Sequence, residues 1–242
     1  MTGPMIGLST LQPPEILQLM PSLAERVRTA FKDVAFRTPL VRWVSHRYQY
    51  NFSPAQLGFL CSCIDATQGV SGPIFEVGCF AGVSTVFINK HMSAEGIEKP
   101  YFAFDTFGGF TADDVAYETD KRGKNRAQLG GFSDNRQEWF DSTMQVNGVS
   151  RVRSIRADVN AFDFTTLPAP SFCLIDVDLY RPVKSVLDAL YDRMPVGSII
   201  VVDDCAEGSA FDGALQAYRE FAAAHALPER IVHRKLGVIE KT

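Results

Sequence analysis

Apolar and polar positions along the chain follow two rhythms, and the change comes near residue 72. Before it, Ile16, Met20, Leu23, Val27, Ala30 and Val34 recur at the spacing of one helix face, predicting a helix over Pro13–Val34. A second helix is expected from Ser53. Its hydroxyl can cap, Pro54 suits the first helical position, Gln56 completes a capping box, and Leu57, Leu60, Cys61 and Ile64 form an apolar face. From Gly72 onward short apolar runs alternate with helical patterns. The runs predict strands at Ile74–Val77, Tyr101–Phe104, Val152–Ala157, Phe172–Val177, Ser198–Val202, Arg230–His233 and Gly237–Glu240. Helical spacing predicts helices at Gly82–His91, Asp134–Val146, Arg181–Arg193 and Phe211–His225.

Strands separated by helices build a parallel, doubly wound sheet. The last two strands are too close for a crossover and must form a hairpin, so the sheet finishes antiparallel. The expected fold is therefore α/β: a doubly wound, seven-stranded Rossmann-like sheet with its last strand antiparallel. An N-terminal helical cap is expected over residues 1–70 and the sheet domain over 71–242. The stretch Gly108–Ser133 is polar, contains two Gly-Gly pairs and shows little periodicity. A connection of that length in a compact domain is usually functional, and it reads as a lid loop.

Bulk properties narrow the classes. At 242 residues and 46% hydrophobic content, the chain can form one large domain with a sizeable core. A net charge of −4 gives no basic footprint, so no nucleic-acid partner is expected. No apolar run reaches the ~18 residues of a membrane helix, and Met1–Met20 does not read as a secretory signal. Five scattered cysteines (Cys61, Cys63, Cys79, Cys173 and Cys205) suit reduced, buried thiols in a cytoplasmic protein. The amphipathic N-terminal helices leave a homo-oligomer open.

The first strand runs into Phe75-Glu76-Val77-Gly78-Cys79-Phe80-Ala81-Gly82-Val83-Ser84-Thr85. Open α/β sheets bind ligands at the carboxyl ends of their strands. Gly78 lets backbone approach a ligand closely and Gly82 lets the helix do so. The Gly-x-x-x-Gly spacing differs from the Gly-x-Gly-x-x-Gly that seats a pyrophosphate, which counts against a nicotinamide-dependent oxidoreductase. Glu76 would attract a sulfonium or ammonium. Asp105, followed by Thr106, ends the second strand, where an acid can accept from both ribose hydroxyls. Asp158, after the third strand, is a candidate for an adenine amino group. Ser84 and, at the end of the fourth strand, Asp176 complete the candidate cofactor set.

A second constellation is acidic. Asp176 and Asp178 end the fourth strand, Asp203 and Asp204 the fifth, and neighbouring strands lie about 5 Å apart. Carboxylates gathered there repel one another unless a cation is bound or a proton shared. Oxygen donors without nearby histidine suit magnesium, with manganese as an alternative, held by Asp176, Asp203 and Asp204.

Glu-Val-Gly-x-x-x-Gly, Phe-Asp-Thr-Phe-Gly-Gly-Phe, Leu-Ile-Asp-Val-Asp-Leu-Tyr and Ile-Val-Val-Asp-Asp together resemble the macrocin O-methyltransferase family over roughly residues 70–240. The ligand spacing is also loosely similar to that of catechol O-methyltransferase. The resemblance implies a class I fold, S-adenosylmethionine as methyl donor, a magnesium ion, and a small-molecule acceptor such as a natural-product sugar hydroxyl. It also implies a histidine base after the second strand, yet no histidine lies between His91 and His225. Asp178 is then the candidate base, with Asp176 beside it in the catalytic set. A metal-independent methyltransferase and a nucleoside-binding protein without turnover remain as alternatives. His46 among aromatics, the basic run Lys121, Arg122, Lys124 and Arg126, and Cys205 next to the Asp pair carry no assigned chemistry.

Overall fold

The computed structural model describes residues 22–45 and 48–242. The start of the expected first helix and His46 lie outside the described residues. Two compact units divide at Gln49/Tyr50. The first contains α1 (Leu23–Phe36) and the four-residue α2 (Val41–Val44). Ser22 caps α1 by accepting from the Glu25 amide, while the Glu25 carboxylate accepts from the Ser22 amide, a capping box at the helix start.

The second unit begins with α3 (Pro54–Ala66), opened by the predicted Ser53–Gln56 box. Its Leu57, Leu60 and Ile64 are buried in one cluster with Ile74, Ile88 and Met92. The expected boundary after residue 70 is thus displaced: α3 is part of the sheet domain because its apolar face covers the sheet. Then follow β1 (Ile74–Val77), α4 (Val83–Ala94), β2 (Tyr101–Asp105), α5 (Ala112–Asp120), α6 (Gln137–Val146), β3 (Val152–Arg156) and β4 (Phe172–Ile175). The chain finishes with α7 (Tyr180–Leu190), β5 (Ile199–Val202), α8 (Gly213–Ala224), β6 (Ile231–Val232) and β7 (Leu236–Glu240).

The sheet has seven strands in the order β3-β2-β1-β4-β5-β7-β6, as expected for the doubly wound class. Pairing from β3 through β5 is parallel, and β7 runs antiparallel between β5 and β6. Order reverses across β1 and β4, so a crevice opens at their carboxyl ends. Strand side chains alternate between two apolar layers. Ile74 lies in the layer with α3, α4 and α6, whereas Phe75 and Val77 lie in the layer with α7 and α8. Among the described residues no helix is long and apolar enough to cross a membrane.

The main departure from the sequence reading is α5, a helix inside the stretch read as a lid loop. Thr111 caps it, accepting from the Asp114 amide at 3.2 Å. Only Asp114 and Glu118 of this helix are buried, so its inward face is acidic and no apolar periodicity announces it.

Candidate active site

A cavity of about 300 Å³ opens at the carboxyl edge of β1, β2, β4 and β5. The strand ends build it in register. Gly78 donates to the Phe104 carbonyl (2.8 Å), Asp176 to Val77 (2.7 Å) and Asp203 to Ile175 (2.8 Å), so each ladder runs one step past its last paired residue. Gly78 has a φ of +92°, and a Cβ there would lie 1.9 Å from the Asp176 carbonyl oxygen. Only glycine lets the β1 turn pass this close to the β4 edge.

Of the expected cofactor residues, Gly78, Asp105, Thr106, Asp158 and Asp176 line this cavity. Asp105 accepts from the Phe80 amide (2.8 Å) on one oxygen and the Phe107 amide (2.7 Å) on the other. These bonds fix its carboxylate at the mouth of the β1 turn and leave lone pairs for a ligand. Thr106 donates to the Gly109 carbonyl (2.6 Å), and Asp158 accepts from the Asn160 amide (3.0 Å).

Glu76, Ser84 and Gly82 are not brought to the cavity. Glu76 shares its strand face with Ile74, two residues back, and so points toward α4. It is fully buried and accepts from Ser84 (2.6 Å), Thr85 (2.5 Å) and Tyr101 (2.8 Å). Burial pushes its carboxyl above the usual carboxylate range, opposed by those three hydroxyls. Its role here is to tie β1, α4 and β2 together beneath the turn. Gly82 begins α4 at a φ of +84° and packs it on α6, where a Cβ would meet Met144 Cε at 2.6 Å.

Asp176, Asp178, Asp203 and Asp204 all line the same cavity. Asp178 reaches it differently from the expected strand alternation. The strand ends at Ile175, and Asp178 sits in a turn with a φ of +62°. Asp204 has a φ of +57°, and Phe80 at +40° also lines the cavity. Left-handed backbone at non-glycine residues costs on the order of 1–3 kcal/mol each and marks sites held by their surroundings. Burial, then the mutual repulsion of the four acids, raises the Asp176 carboxyl well above its ordinary value. Burial also raises Asp178, with its hydrogen bond to Asp204 next in effect, and burial and Asp204 raise Asp203.

Sequence reasoning missed Lys235. Its ammonium bonds Asp203 Oδ2 (2.6 Å) and Asp204 Oδ1 (3.2 Å), and it lies 5.2 Å from the Phe52 ring centroid. Burial alone would lower its pKa, but Asp203 and Asp204 raise it instead. The hairpin could have revealed it. Because β7 runs antiparallel, with Gly237 opposite Val202, the residue just before β7 is delivered to the carboxyl edge of β5. The expectation that the cluster needs a metal for its counter-charge is thus modified, since the chain itself supplies one cation. Among the described residues no three acidic, histidine or cysteine side chains form a preformed metal cage. The donor set nevertheless fits a hard divalent cation. All donors are oxygens, four carboxylates face one ammonium, and Asp203 Oδ1 is buried without a partner among the described residues.

No histidine among the described residues lines the cavity. His91 pairs with Asp65 (2.7 Å), His225 stacks on Phe221 and His233 packs by Phe59. Cys205 is buried away from the cavity, and all five cysteines are free and buried. Two members of the basic run, Arg122 and Lys124, are anchored as well. Arg122 bonds Glu118 (2.9 Å), Asp212 (2.6 Å) and Gln216 (2.6 Å), and Lys124 pairs with Asp212 (2.6 Å). Glu118 in turn accepts from the Tyr180 amide at the start of α7 (2.8 Å). Asp114, on the same helix, lines the cavity and accepts from Asn160 (3.0 Å).

The family model described as macrocin-O-methyltransferase (TylF) matches residues 55–236. No curated protein matches. Among solved structures, the O-methyltransferase NovP is similar at a TM-score of 0.67 and 18% identity, covering 77% of this chain and 79% of its own. The calicheamicin methyltransferase CalS11 has a TM-score of 0.58 and 18% identity, covering 92% of this chain and 94% of its own. The SAH-bound methyltransferase PaMTH1 of Podospora anserina has a TM-score of 0.53 and 13% identity, covering 92% of this chain and 98% of its own. At such identities the likeness establishes the fold.

Proposed function

The chain belongs to the macrocin-O-methyltransferase family, and from that premise we propose that it methylates a hydroxyl of a small natural-product acceptor, a sugar hydroxyl foremost, with S-adenosylmethionine as donor. The observation that carries this reading is one cavity lined on one side by Gly78, Asp105 and Asp158 and on the other by Asp176, Asp178, Asp203 and Asp204. CalS11 is described, in its apo form, as a TDP-rhamnose 3'-O-methyltransferase, which supports a sugar as the acceptor class.

Asp105 would take the ribose hydroxyls and Asp158 the adenine amine, with Gly78 and Thr106 shaping the turn around the cofactor. The donor supplies an electrophilic methyl group on sulfur. A magnesium ion, held by Asp176, Asp203 and Asp204, would lower the pKa of the acceptor hydroxyl. Asp178 takes the hydroxyl proton, since burial and its hydrogen bond to Asp204 raise its carboxyl's affinity for a proton. With the donor bound, the O–C bond would form as the S–C bond breaks, leaving S-adenosylhomocysteine. The walls hold the reacting oxygen in line and exclude water, and much of the rate comes from that positioning.

Lys235 favours a second reading in which no metal takes part and its ammonium alone balances Asp203 and Asp204. Methyl-labelled S-adenosylmethionine and a panel of glycosides separate the two. The metal reading expects label in the acceptor to vanish in EDTA and return with magnesium or manganese. Undiminished transfer after exhaustive chelation supports the Lys235 reading, and no transfer to any glycoside counts against a sugar acceptor.

A further inference from the structure

Four phenylalanines lining the cavity, Phe80, Phe110, Phe132 and Phe211, belong to neither apolar layer of the sheet. They pack on one another instead. Ring centroids are 5.5 Å apart for Phe80–Phe132, 5.3 Å for Phe110–Phe132, 6.0 Å for Phe110–Phe211 and 6.2 Å for Phe132–Phe211. They come from separate places: the β1–α4 turn, both ends of the 108–133 segment, and the loop before α8. All four are half-buried. Converging aromatics that contribute nothing to the core, and keep part of their surface at a cavity, are the apolar lining expected of a ligand site.

The charge of the remaining lining is one-sided. It contains seven aspartates, and Lys235 is its sole basic residue among the described residues. That lysine is already bonded to Asp203 and Asp204. Arg181, outside the lining, reaches Asp114 at 3.5 Å, whereas Arg122 and Lys124 are paired with Glu118 and Asp212. Formally the lining carries six more negative than positive charges, fewer where Asp176, Asp178 and Asp203 keep their protons, and a divalent cation plus the cofactor's sulfonium would offset part of that excess. A phosphate-bearing acceptor would meet a surplus of carboxylates and a lysine already engaged by two of them.

We propose that Phe80, Phe110, Phe132 and Phe211 form the specificity surface for the acceptor, and that they select an uncharged molecule whose flat apolar ring lies beside the hydroxyl to be methylated, against one carrying a phosphate. The proposal rests on the methyltransferase reading and names its acceptor chemistry. An aromatic ring gains on such a wall by offset or edge-on packing, and a phosphate is rejected by the carboxylates around it.

The test is calorimetry on the full chain saturated with S-adenosylhomocysteine, in buffer with magnesium, using two probes that share a sugar: 2-naphthyl rhamnoside and TDP-rhamnose. The naphthyl glycoside is expected to bind at least about tenfold more tightly, one misplaced charge being worth that much or more. Phe110→Ala and Phe211→Ala should each weaken it about two- to tenfold, the scale of one aromatic contact. Phe211→Leu keeps most of the volume but not the ring, and it should show a similar loss if the alanine variant proves unstable in a melting scan. TDP-rhamnose binding as tightly as the naphthyl glycoside, or no naphthyl glycoside binding at millimolar concentration, would overturn the proposal. So would phenylalanine variants that weaken S-adenosylhomocysteine and not the glycoside, since the rings would then serve the cofactor. Failure of the wild-type chain to bind S-adenosylhomocysteine at all would be a failure of the methyltransferase reading itself.

Discussion

Replacing Lys235 by methionine removes the ammonium from a cluster of four buried or half-buried aspartates while keeping most of the side-chain volume. The ammonium lies 2.6 Å from Asp203 Oδ2 and 3.2 Å from Asp204 Oδ1, with 24% of the lysine side chain and 4% of the Asp203 side chain exposed. At an effective dielectric of about 20, the nearer contact alone is worth about 6 kcal/mol of attraction. Desolvation of both charges takes back a large part, and breaking a buried pair from one side costs about 3–5 kcal/mol in practice. Lys235→Met should therefore lose about 3 kcal/mol, or roughly 6–12 °C in melting temperature for a domain of this size.

The sign of the pH dependence follows from the direction of the carboxyl shifts. Asp176, Asp178 and Asp203 are held above their ordinary values, so the folded chain keeps protons there that the unfolded chain releases. Stability from these groups is full below the ordinary carboxylate range and falls as pH rises toward the raised values. Without Lys235 those values rise further, so the deficit should shrink in mild acid and grow toward neutral pH. Magnesium at about a hundred times its dissociation constant would return about 2.7 kcal/mol by mass action. Denaturant melts of wild type and variant, at pH 5 and 8 with and without magnesium, read all of this. A deficit below about 1 kcal/mol at both pH values would refute the electrostatic reasoning, given the ~3 kcal/mol expected for a broken buried pair. A full deficit untouched by magnesium would keep that reasoning and refute the metal.

Other outcomes are expected at separate places. Gly78→Ala should cost several kcal/mol, about 1–2 for the left-handed backbone and more for a Cβ 1.9 Å from the Asp176 carbonyl oxygen, read by denaturant unfolding. A variant of near wild-type stability would mean that the turn does not hug the β4 edge. Arg122→Ala should loosen the 108–133 wall by removing its bonds to Glu118 and Asp212, raising protease cleavage there and acceptor KM more than it lowers kcat; an unchanged digestion pattern would count against the anchor. Asp178→Asn should cut turnover at neutral pH by about 10²–10⁴-fold while the chain still binds S-adenosylhomocysteine. Near-normal turnover would remove Asp178 as the base.

Much of the fold is legible in the sequence because each strand–helix unit repeats a strong apolar signal, from Ile74–Val77 to the closing hairpin. The site is legible where chemistry and register coincide: Asp105, Asp158, Asp176 and Asp203 all fall at strand ends, and strand ends form the crevice. Glu76 misleads because it lies inside β1 rather than past its end. Two-residue alternation points it toward α4, a placement that Ile74 already implies. Helix α5 is hidden because its inward positions, Asp114 and Glu118, are carboxylates that make polar contacts with Asn160, Arg122 and the α7 amide. Lys235 is hidden by distance along the chain. Only the antiparallel return of β7 brings it 2.6 Å from a residue 32 positions earlier.

Calorimetric titration of the chain with S-adenosylhomocysteine and, separately, with a nicotinamide dinucleotide, repeated on Asp105→Ala, decides whether the cavity is a methyl-donor site. A methyl-donor site gives saturable binding of S-adenosylhomocysteine, no binding of the dinucleotide, and a loss of about 1–3 kcal/mol in the variant, the scale of a hydrogen bond to a charged group. A wild-type chain that binds the dinucleotide and ignores S-adenosylhomocysteine would contradict it.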